Sequence, residues 1–130
     1  MSHSALLVFA LALGAAPALF AQSYPVKPVR MVLALTGGAE VAARAVAEKM
    51  TLSLGQPVLV ESQGGAGGAI GAEMVARAAP DGYTILMATP NTQVYRAQLV
   101  SKMSYDPVKD FTPITKFTDT VLCVVASRDA

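Results

Sequence analysis

The sequence has few of the residues that usually carry metal or redox chemistry or nucleophilic catalysis. It contains one cysteine, one histidine and no tryptophan in 130 residues. A single cysteine excludes an internal disulfide framework and a cysteine-based zinc site. The only histidine, His3, lies at the start of the chain, so no serine has a histidine base available. We therefore predict no catalytic residue, no metal and no cofactor.

Charge is also scarce. Ten Lys and Arg stand against nine Asp and Glu, which leaves a net charge of +1, and only 15% of residues are charged. This near-neutral balance argues against a nucleic-acid partner, which usually requires a basic excess. The apolar content of 53% argues against disorder. The length allows at most one domain.

All charged residues lie beyond position 22. The apolar run 5–21 has 17 residues, fewer than the roughly 20 that span a membrane. We predict that residues 1–22 are a secretory signal peptide, cleaved after Ala18 or Ala21, although its first four residues carry no positive charge. The alternative is a buried N-terminal helix. On the first interpretation the mature domain is 23–130.

Strands and helices alternate along the rest of the chain. Apolar runs predict strands at 29–35, 57–61, 83–88 and 120–126, and apolar spacing predicts helices at 40–54, 70–79 and 92–100. Asp106-Pro107 is typical of a further helix start. This order predicts an α/β fold with a mostly parallel sheet flanked by helices.

Three glycine-rich or small polar loops, at 36–39, 63–69 and 89–92, each follow a strand and open a helix. Ligands of open parallel sheets bind at this end of the strands. Free N–H groups at helix starts attract anions, and glycine lets a ligand approach the backbone. The loops therefore favour a carboxylate or phosphate site, with ordinary turn chemistry as the alternative.

The specific motifs of nucleotide-binding loops are missing here. Gly65-x-Gly67 lacks the third glycine of a dinucleotide fingerprint, and no Gly-Lys-Ser/Thr follows a glycine run. Cys123 lies in an apolar strand, which is typical of a buried structural thiol. Glu40 lies in the first turn of a helix, where the helix dipole favours a carboxylate. It is also the one carboxylate placed to act beside a ligand.

Several sequence blocks resemble the Bug, or TctC-like, extracytoplasmic solute receptors. They read YPVKPVR at 24–30, LGQPVLVE at 54–61, GAGG at 65–68, IGAE at 70–73, ARAAPDGYT at 76–84 and YDPVKDFTPI at 105–114. The resemblance implies a type II periplasmic-binding-protein fold with two lobes that close on a ligand. Residues 23–130 would form the N-terminal part of the first lobe, without the second.

The resemblance also implies a periplasmic, non-enzymatic receptor that delivers small carboxylates to the membrane subunits of a tripartite tricarboxylate transporter, or that acts as an orphan sensor. In such receptors the loops after the first and third strands hold the ligand. Together with the loop argument, this predicts ten ligand-binding residues. They are Thr36, Gly37, Gly38, Ala39, Glu40, Gly67, Thr89, Asn91, Thr92 and Arg96.

Departures from the family pattern fall at this site. The first loop is about two residues shorter, and Arg96-Ala97 stands where Asn-Pro is common. Arg96 either pairs with a ligand carboxylate or is a solvated helix charge. Because the second lobe is lacking, we expect weak or absent binding by residues 1–130 alone. Two alternatives remain: a non-functional fragment from a frameshift or internal stop, and an enzyme acting on a phosphorylated substrate.

Overall fold

The computed structural model of the chain describes residues 24–35 and 37–119. The signal peptide predicted for residues 1–22 and the strand predicted at 120–126 lie outside the described residues. Both therefore stay predictions, as does the division of the chain at residue 22.

The described part is an alternation of strands and helices. In chain order the elements are β1 (Val29–Leu33), α1 (Gly38–Leu54), β2 (Val58–Ser62), a 3₁₀ turn (Gly65–Gly68), α2 (Ala69–Ala76), β3 (Thr84–Met87), a π-helical segment (Asn91–Tyr95) and α3 (Arg96–Leu99). The predicted α/β class is confirmed. The observed strands lie within about two residues of the predicted bounds, which is the usual uncertainty of element ends.

Within residues 24–35 and 37–119 the sheet has three parallel strands in the order β2-β1-β3. Val29 pairs with Val58 on one side of β1, and Arg30 pairs with Thr84 on the other. The first strand is therefore central, and its neighbours come later in the sequence. Because all three strands run the same way, the loops that follow them leave the same end of the sheet.

Helices cover both faces of the sheet. On one face Met31 and Leu33 pack with Ala43 and Ala47 of α1. On the other face, the cluster around Ala72 includes half-buried Leu86 of β3 and Tyr105. Successive residues of a strand point to opposite faces, so the almost continuous apolar sequence of β1 is what a strand buried on both sides requires.

The third helix differs from its prediction. The sequence predicts one α-helix over residues 92–100, but the segment Asn91–Tyr95 is π-helical and only Arg96–Leu99 is α-helical. The N–H of Arg96 bonds to the carbonyl of Asn91, five residues earlier. Such wider turns are often found at functional sites.

The helix start predicted at Asp106 becomes a single turn. Its carboxylate Oδ1 accepts hydrogen bonds from the N–H groups of Val108 (2.9 Å) and Lys109 (3.0 Å), as an N-cap does. The N–H of Asp110 bonds to the Asp106 carbonyl, and no helix follows within the residues described up to 119. The capping interaction was thus predicted correctly, and the helix was not.

The segment that precedes β1, residues 24–27, is bonded to the turn at 81–83, which is distant in the sequence. The Tyr24 hydroxyl donates to the carbonyl of Gly82 at 2.7 Å, and the N–H of Val26 donates to the Tyr83 hydroxyl at 2.9 Å. Lys27 pairs with Asp81 at 3.2 Å. A hydrogen bond from the N–H of Tyr83, and then Lys27, lowers the pKa of Asp81. Residues 24–27 are thereby held beside the start of β3.

Within the described part of the chain, no helix has both the length and the apolar character needed to cross a membrane.

Candidate ligand-binding site

The loops that follow the three strands meet at one end of the sheet. Gly68, after β2, lies so close to Ala34, after β1, that a β-carbon on Gly68 would collide with the Ala34 carbonyl oxygen. The same β-carbon would stand 2.7 Å from Cγ2 of Thr92, after β3. Gly68 is therefore the point at which all three loops touch.

We call residues 64–68 the glycine loop. Three consecutive residues in it, Ala66 (φ 53°), Gly67 (φ 66°) and Gly68 (φ 90°), have left-handed backbone conformations. For an L-residue such as Ala66 this conformation costs about 1–2 kcal/mol. The surrounding contacts must therefore hold the loop in this shape.

Two side chains from the helical segments that follow β3 reach the glycine loop. Nδ2 of Asn91 donates to the Gly67 carbonyl at 2.6 Å, and Nη1 of Arg96 donates to the Ala66 carbonyl at 3.0 Å. Nε of Arg96 is buried and has no hydrogen-bond partner among the described residues. Arg96 is thus partly buried and hydrogen-bonded to the glycine loop, and its role as a ligand contact stays a prediction.

Thr89 and Thr92 bond mainly to each other. The Thr92 hydroxyl donates to the Thr89 carbonyl at 3.0 Å and accepts from the Thr89 N–H at 3.1 Å. Thr92 is fully buried, and its carbonyl accepts a hydrogen bond from the Tyr105 hydroxyl at 2.7 Å. Burial raises the pKa of Tyr105, so the hydroxyl keeps its proton. Thr92 organises its loop from the inside, and its role as a ligand contact stays a prediction.

The start of α1 contributes the other group of predicted residues. Gly37, Gly38 and Ala39 are exposed, and the first N–H groups of this 17-residue helix have no partner within the helix. The N–H of Glu40 is already used, since it bonds to the carbonyl of Gly37, just before the helix, at 2.9 Å. This helix start can therefore offer backbone donors and a partial positive charge to an anion.

The Glu40 carboxylate is paired within the protein. It accepts hydrogen bonds from Nε (3.1 Å) and Nη2 of Arg44. Hydrogen bonds from Arg44, and then from the Ser62 hydroxyl, hold the pKa of Glu40 below its ordinary value. Arg44 compensates the negative charge, which reduces the repulsion that Glu40 would exert on a bound carboxylate.

The structure therefore brings most of the predicted residues to the same end of the sheet, in two groups. Residues Gly67, Thr89, Asn91, Thr92 and Arg96 form one group, and Gly37, Gly38, Ala39 and Glu40 form the other. Thr36 lies outside the described residues.

Sequence reasoning missed Gly68, Ala66 and Tyr105. The glycine run indicates an unusual loop, but nothing in the local sequence distinguishes Gly68 from the glycines beside it. Its role depends on Ala34 and Thr92, which are remote in sequence.

Across residues 24–35 and 37–119, no three His, Cys, Asp or Glu side chains are grouped so as to hold a metal ion. An open depression of about 660 Å³ lies between α3 and residues 101–110, lined by Ala97, Val100, Met103 and Tyr105 among others. None of the ten predicted residues lines it, so it is a surface separate from the loop cluster.

A parallel sheet with helices on both faces and loops clustered at one end is common to many α/β proteins, periplasmic binding proteins among them. The structure of a periplasmic transporter matches 71% of this chain with a TM-score of 0.66 and 47% identity, over 32% of its own length. The fold class predicted from the sequence is thereby confirmed.

The family follows from the sequence match. The model for the tripartite tricarboxylate transporter family receptors, TctC, matches residues 42–130. The chain belongs to this family. A UPF0065 protein of Agrobacterium vitis, from the TAR-I ttuE-ttuC' intergenic region, is 42% identical over 109 residues. That match covers 82% of this chain and 31% of the relative, so the chain spans about a third of the relative's length.

Two solved structures of similar proteins contain a dicarboxylate. MatC from Rhodopseudomonas palustris with bound malate has a TM-score of 0.64 and 39% identity, over 69% of this chain and 31% of that one. A second R. palustris protein, solved with adipate, has a TM-score of 0.60 and 35% identity over the same shares.

Proposed function

We propose that this chain is the N-terminal part of a periplasmic solute receptor that binds a small carboxylate for a tripartite tricarboxylate transporter. The observation that carries the proposal is the meeting of the three strand-end loops, with the exposed start of α1 beside them. Backbone N–H groups there suit an anion. The malate and adipate in similar structures support a dicarboxylate in particular.

The electrostatics of the site agree with this proposal. The chain carries a net charge of +1, so anion binding has to rely on local dipoles instead of a basic surface. The one carboxylate at the start of α1, Glu40, is neutralised by Arg44. A second carboxylate, on the ligand, can therefore approach the first turn.

A receptor without catalytic activity is part of the same proposal. An enzyme acting on a phosphorylated substrate would need a general base among the loops. Glu40, the carboxylate nearest to them in the sequence pattern, has a lowered pKa because it pairs with Arg44. A carboxylate held in this way is a weak base at neutral pH.

The test is a titration of the ¹⁵N-labelled 130-residue chain with adipate or malate, followed by NMR. We expect saturable shifts at the amides of Gly38, Ala39 and Gly67, with a dissociation constant on the order of 1 mM, which corresponds to about 4 kcal/mol. The weak affinity is expected because these residues offer one side of a two-sided site.

Dimethyl adipate, which has the same chain length but no charge, is the matched control and should shift none of these amides. Equal shifts with the diester, or none with either dicarboxylate, would contradict the proposal. Calorimetry gives a second check, since micromolar affinity of the 130-residue chain would contradict the expected weak binding while supporting the receptor function.

A further inference from the structure

We propose that Asn91 and Arg96 are positioning residues, which hold the glycine loop in its left-handed shape and thereby orient its backbone N–H groups for the ligand. The part of this inference that concerns the ligand rests on the proposed function. The part that concerns the loop rests on the structure alone.

The two side chains act on adjacent peptide groups. Asn91 donates to the carbonyl of Gly67 at 2.6 Å, and Arg96 donates to the carbonyl of Ala66 at 3.0 Å. Both come from the helical segment that follows β3, and they hold neighbouring carbonyls from positions five residues apart. A loop fixed at two successive peptides cannot rotate either one without losing a hydrogen bond.

The glycine loop also has backbone hydrogen bonds of its own. The Gly68 N–H donates to the Gly64 carbonyl at 3.2 Å, and the Ala69 N–H, just after the loop, donates to the carbonyls of Ala66 and Gly65. Glycine is free to adopt many conformations, and left-handed Ala66 is strained. The side-chain bonds from Asn91 and Arg96 therefore act together with these backbone bonds to select this conformation among those open to the loop.

Arg96 is suited to this role by its own fixed position. Its Nε is buried without a hydrogen-bond partner among the described residues, so packing and not water surrounds that part of the guanidinium. A charged donor held this way makes a stronger bond to a carbonyl than a neutral donor does.

The consequence for a ligand follows from peptide geometry. In a trans peptide the carbonyl and the next N–H point in opposite directions. When Arg96 holds the Ala66 carbonyl, the N–H of Gly67 is directed away from Arg96. Arg96 would therefore influence an anion through the Gly67 N–H and not by touching it.

Amide hydrogen exchange of the ¹⁵N-labelled 130-residue chain, without ligand, tests the positioning role. The reporter is the Gly68 amide. We expect Arg96→Ala and Asn91→Asp each to accelerate its exchange about tenfold, the factor that corresponds to roughly one hydrogen bond. Arg96→Lys keeps a charged donor and should restore most of the protection.

Two controls separate this effect from general destabilisation. The Val29 amide, which bonds to the Pro57 carbonyl at the opposite end of the sheet, reports whether each variant is folded. Arg77→Ala removes a positive charge just past the far end of α2, about 12 Å along the helix from Gly68. It should leave the exchange rate of the Gly68 amide unchanged. Acceleration at Gly68 with an unchanged Val29 amide supports the proposal.

Adipate titration of the same variants completes the test. We expect Arg96→Ala to weaken adipate binding and Arg96→Lys to recover most of it. Lost affinity with unchanged exchange at Gly68 would mean direct contact between Arg96 and the ligand, and would overturn the positioning role. Unchanged exchange in both Arg96→Ala and Asn91→Asp would overturn it as well. If the unaltered chain fails to bind adipate, the proposed function fails, whereas the exchange data still decide what Arg96 and Asn91 do.

Discussion

The hydroxyl of Tyr105 donates a hydrogen bond to the carbonyl of Thr92 at 2.7 Å, and both residues are buried. The bond ties the turn at 105–110 to the π-helical segment that follows β3. Tyr105 also packs edge-on against Phe111, with ring centroids 5.7 Å apart. The loop cluster is therefore supported from behind by a part of the chain that contributes no predicted ligand contact.

Tyr105→Phe should lower the free energy of unfolding by about 1 kcal/mol, because it removes one buried hydrogen bond and keeps the ring in place. Urea denaturation followed by far-ultraviolet circular dichroism measures the change. Tyr95→Phe is the matched control, since Tyr95 is 46% exposed. An equal effect of the two substitutions would show that the Thr92 contact contributes little.

Gly68→Ala should be among the most damaging small substitutions in the chain. The added β-carbon would collide with the Ala34 carbonyl oxygen at a position with φ of 90°. We expect a loss of about 3 kcal/mol, from the sum of strain and overpacking.

Gly38→Ala provides the opposite result for comparison. A β-carbon on Gly38 meets no atom within 4 Å, and Gly38 begins α1 with no positive φ. Alanine should therefore stabilise the chain by roughly 0.5–1 kcal/mol. The same urea titration compares the free energies of unfolding of the two variants. If Gly68→Ala were as stable as Gly38→Ala, this would contradict the close approach of the three loops.

Arg30 and Glu61 form a cross-strand ion pair that should make stability depend on pH. Nε and Nη2 of Arg30 donate to the two carboxylate oxygens at 2.9 and 2.7 Å. These hydrogen bonds lower the pKa of Glu61 in the folded chain. Because the folded pKa lies below the unfolded one, the stabilisation is present at neutral pH and is lost as pH falls through the folded value.

Glu61→Gln should therefore lower the urea midpoint at pH 7, and its difference from the unaltered chain should shrink below about pH 4, the ordinary range for glutamate. Glu48→Gln is the control, an exposed glutamate of α1 that takes part in none of the ion pairs among the described residues. A difference that stays constant from pH 7 to about pH 3 would argue against the pair as its cause.

Tyr24→Phe should weaken the attachment of residues 24–27 to the turn before β3 without unfolding the sheet. The substitution removes the hydrogen bond to the Gly82 carbonyl and keeps the ring, whose centroid lies 5.0 Å from that of Tyr83. We expect several-fold faster exchange of the Val26 amide, whose bond to Tyr83 belongs to the same cluster. The amides of β1 should not change, and faster exchange there would show that the effect is global.

The elements could be predicted from the sequence because local patterns specify them. The apolar run of β1, the spacing of Ala43, Met50 and Leu54, and Gly55 at the helix end are each visible within a few residues. Gly55 does adopt the left-handed conformation that ends α1. Parallel strands then place the loops at one end of the sheet without further information.

The contacts within the site could not be predicted in this way. The bond from Arg96 to the Ala66 carbonyl joins residues 30 positions apart, and the pairing of Arg30 with Glu61 depends on strand register. Sequence reasoning treated Arg96 as a ligand contact or a solvated charge. It could not foresee a third role, because the conformation of the glycine loop is set by tertiary contacts.

The position of β1 in the middle of the sheet has a consequence for how the chain folds. Arg30 of β1 pairs with Thr84 of β3, 54 positions later in the sequence. The central strand is synthesised before either neighbour, and contacts of such long separation form slowly. The three described strands cannot all pair until Met87 has left the ribosome. During that time β1 is an apolar strand whose backbone N–H and C=O groups are unpaired along both edges. Such edges can pair with the wrong strand.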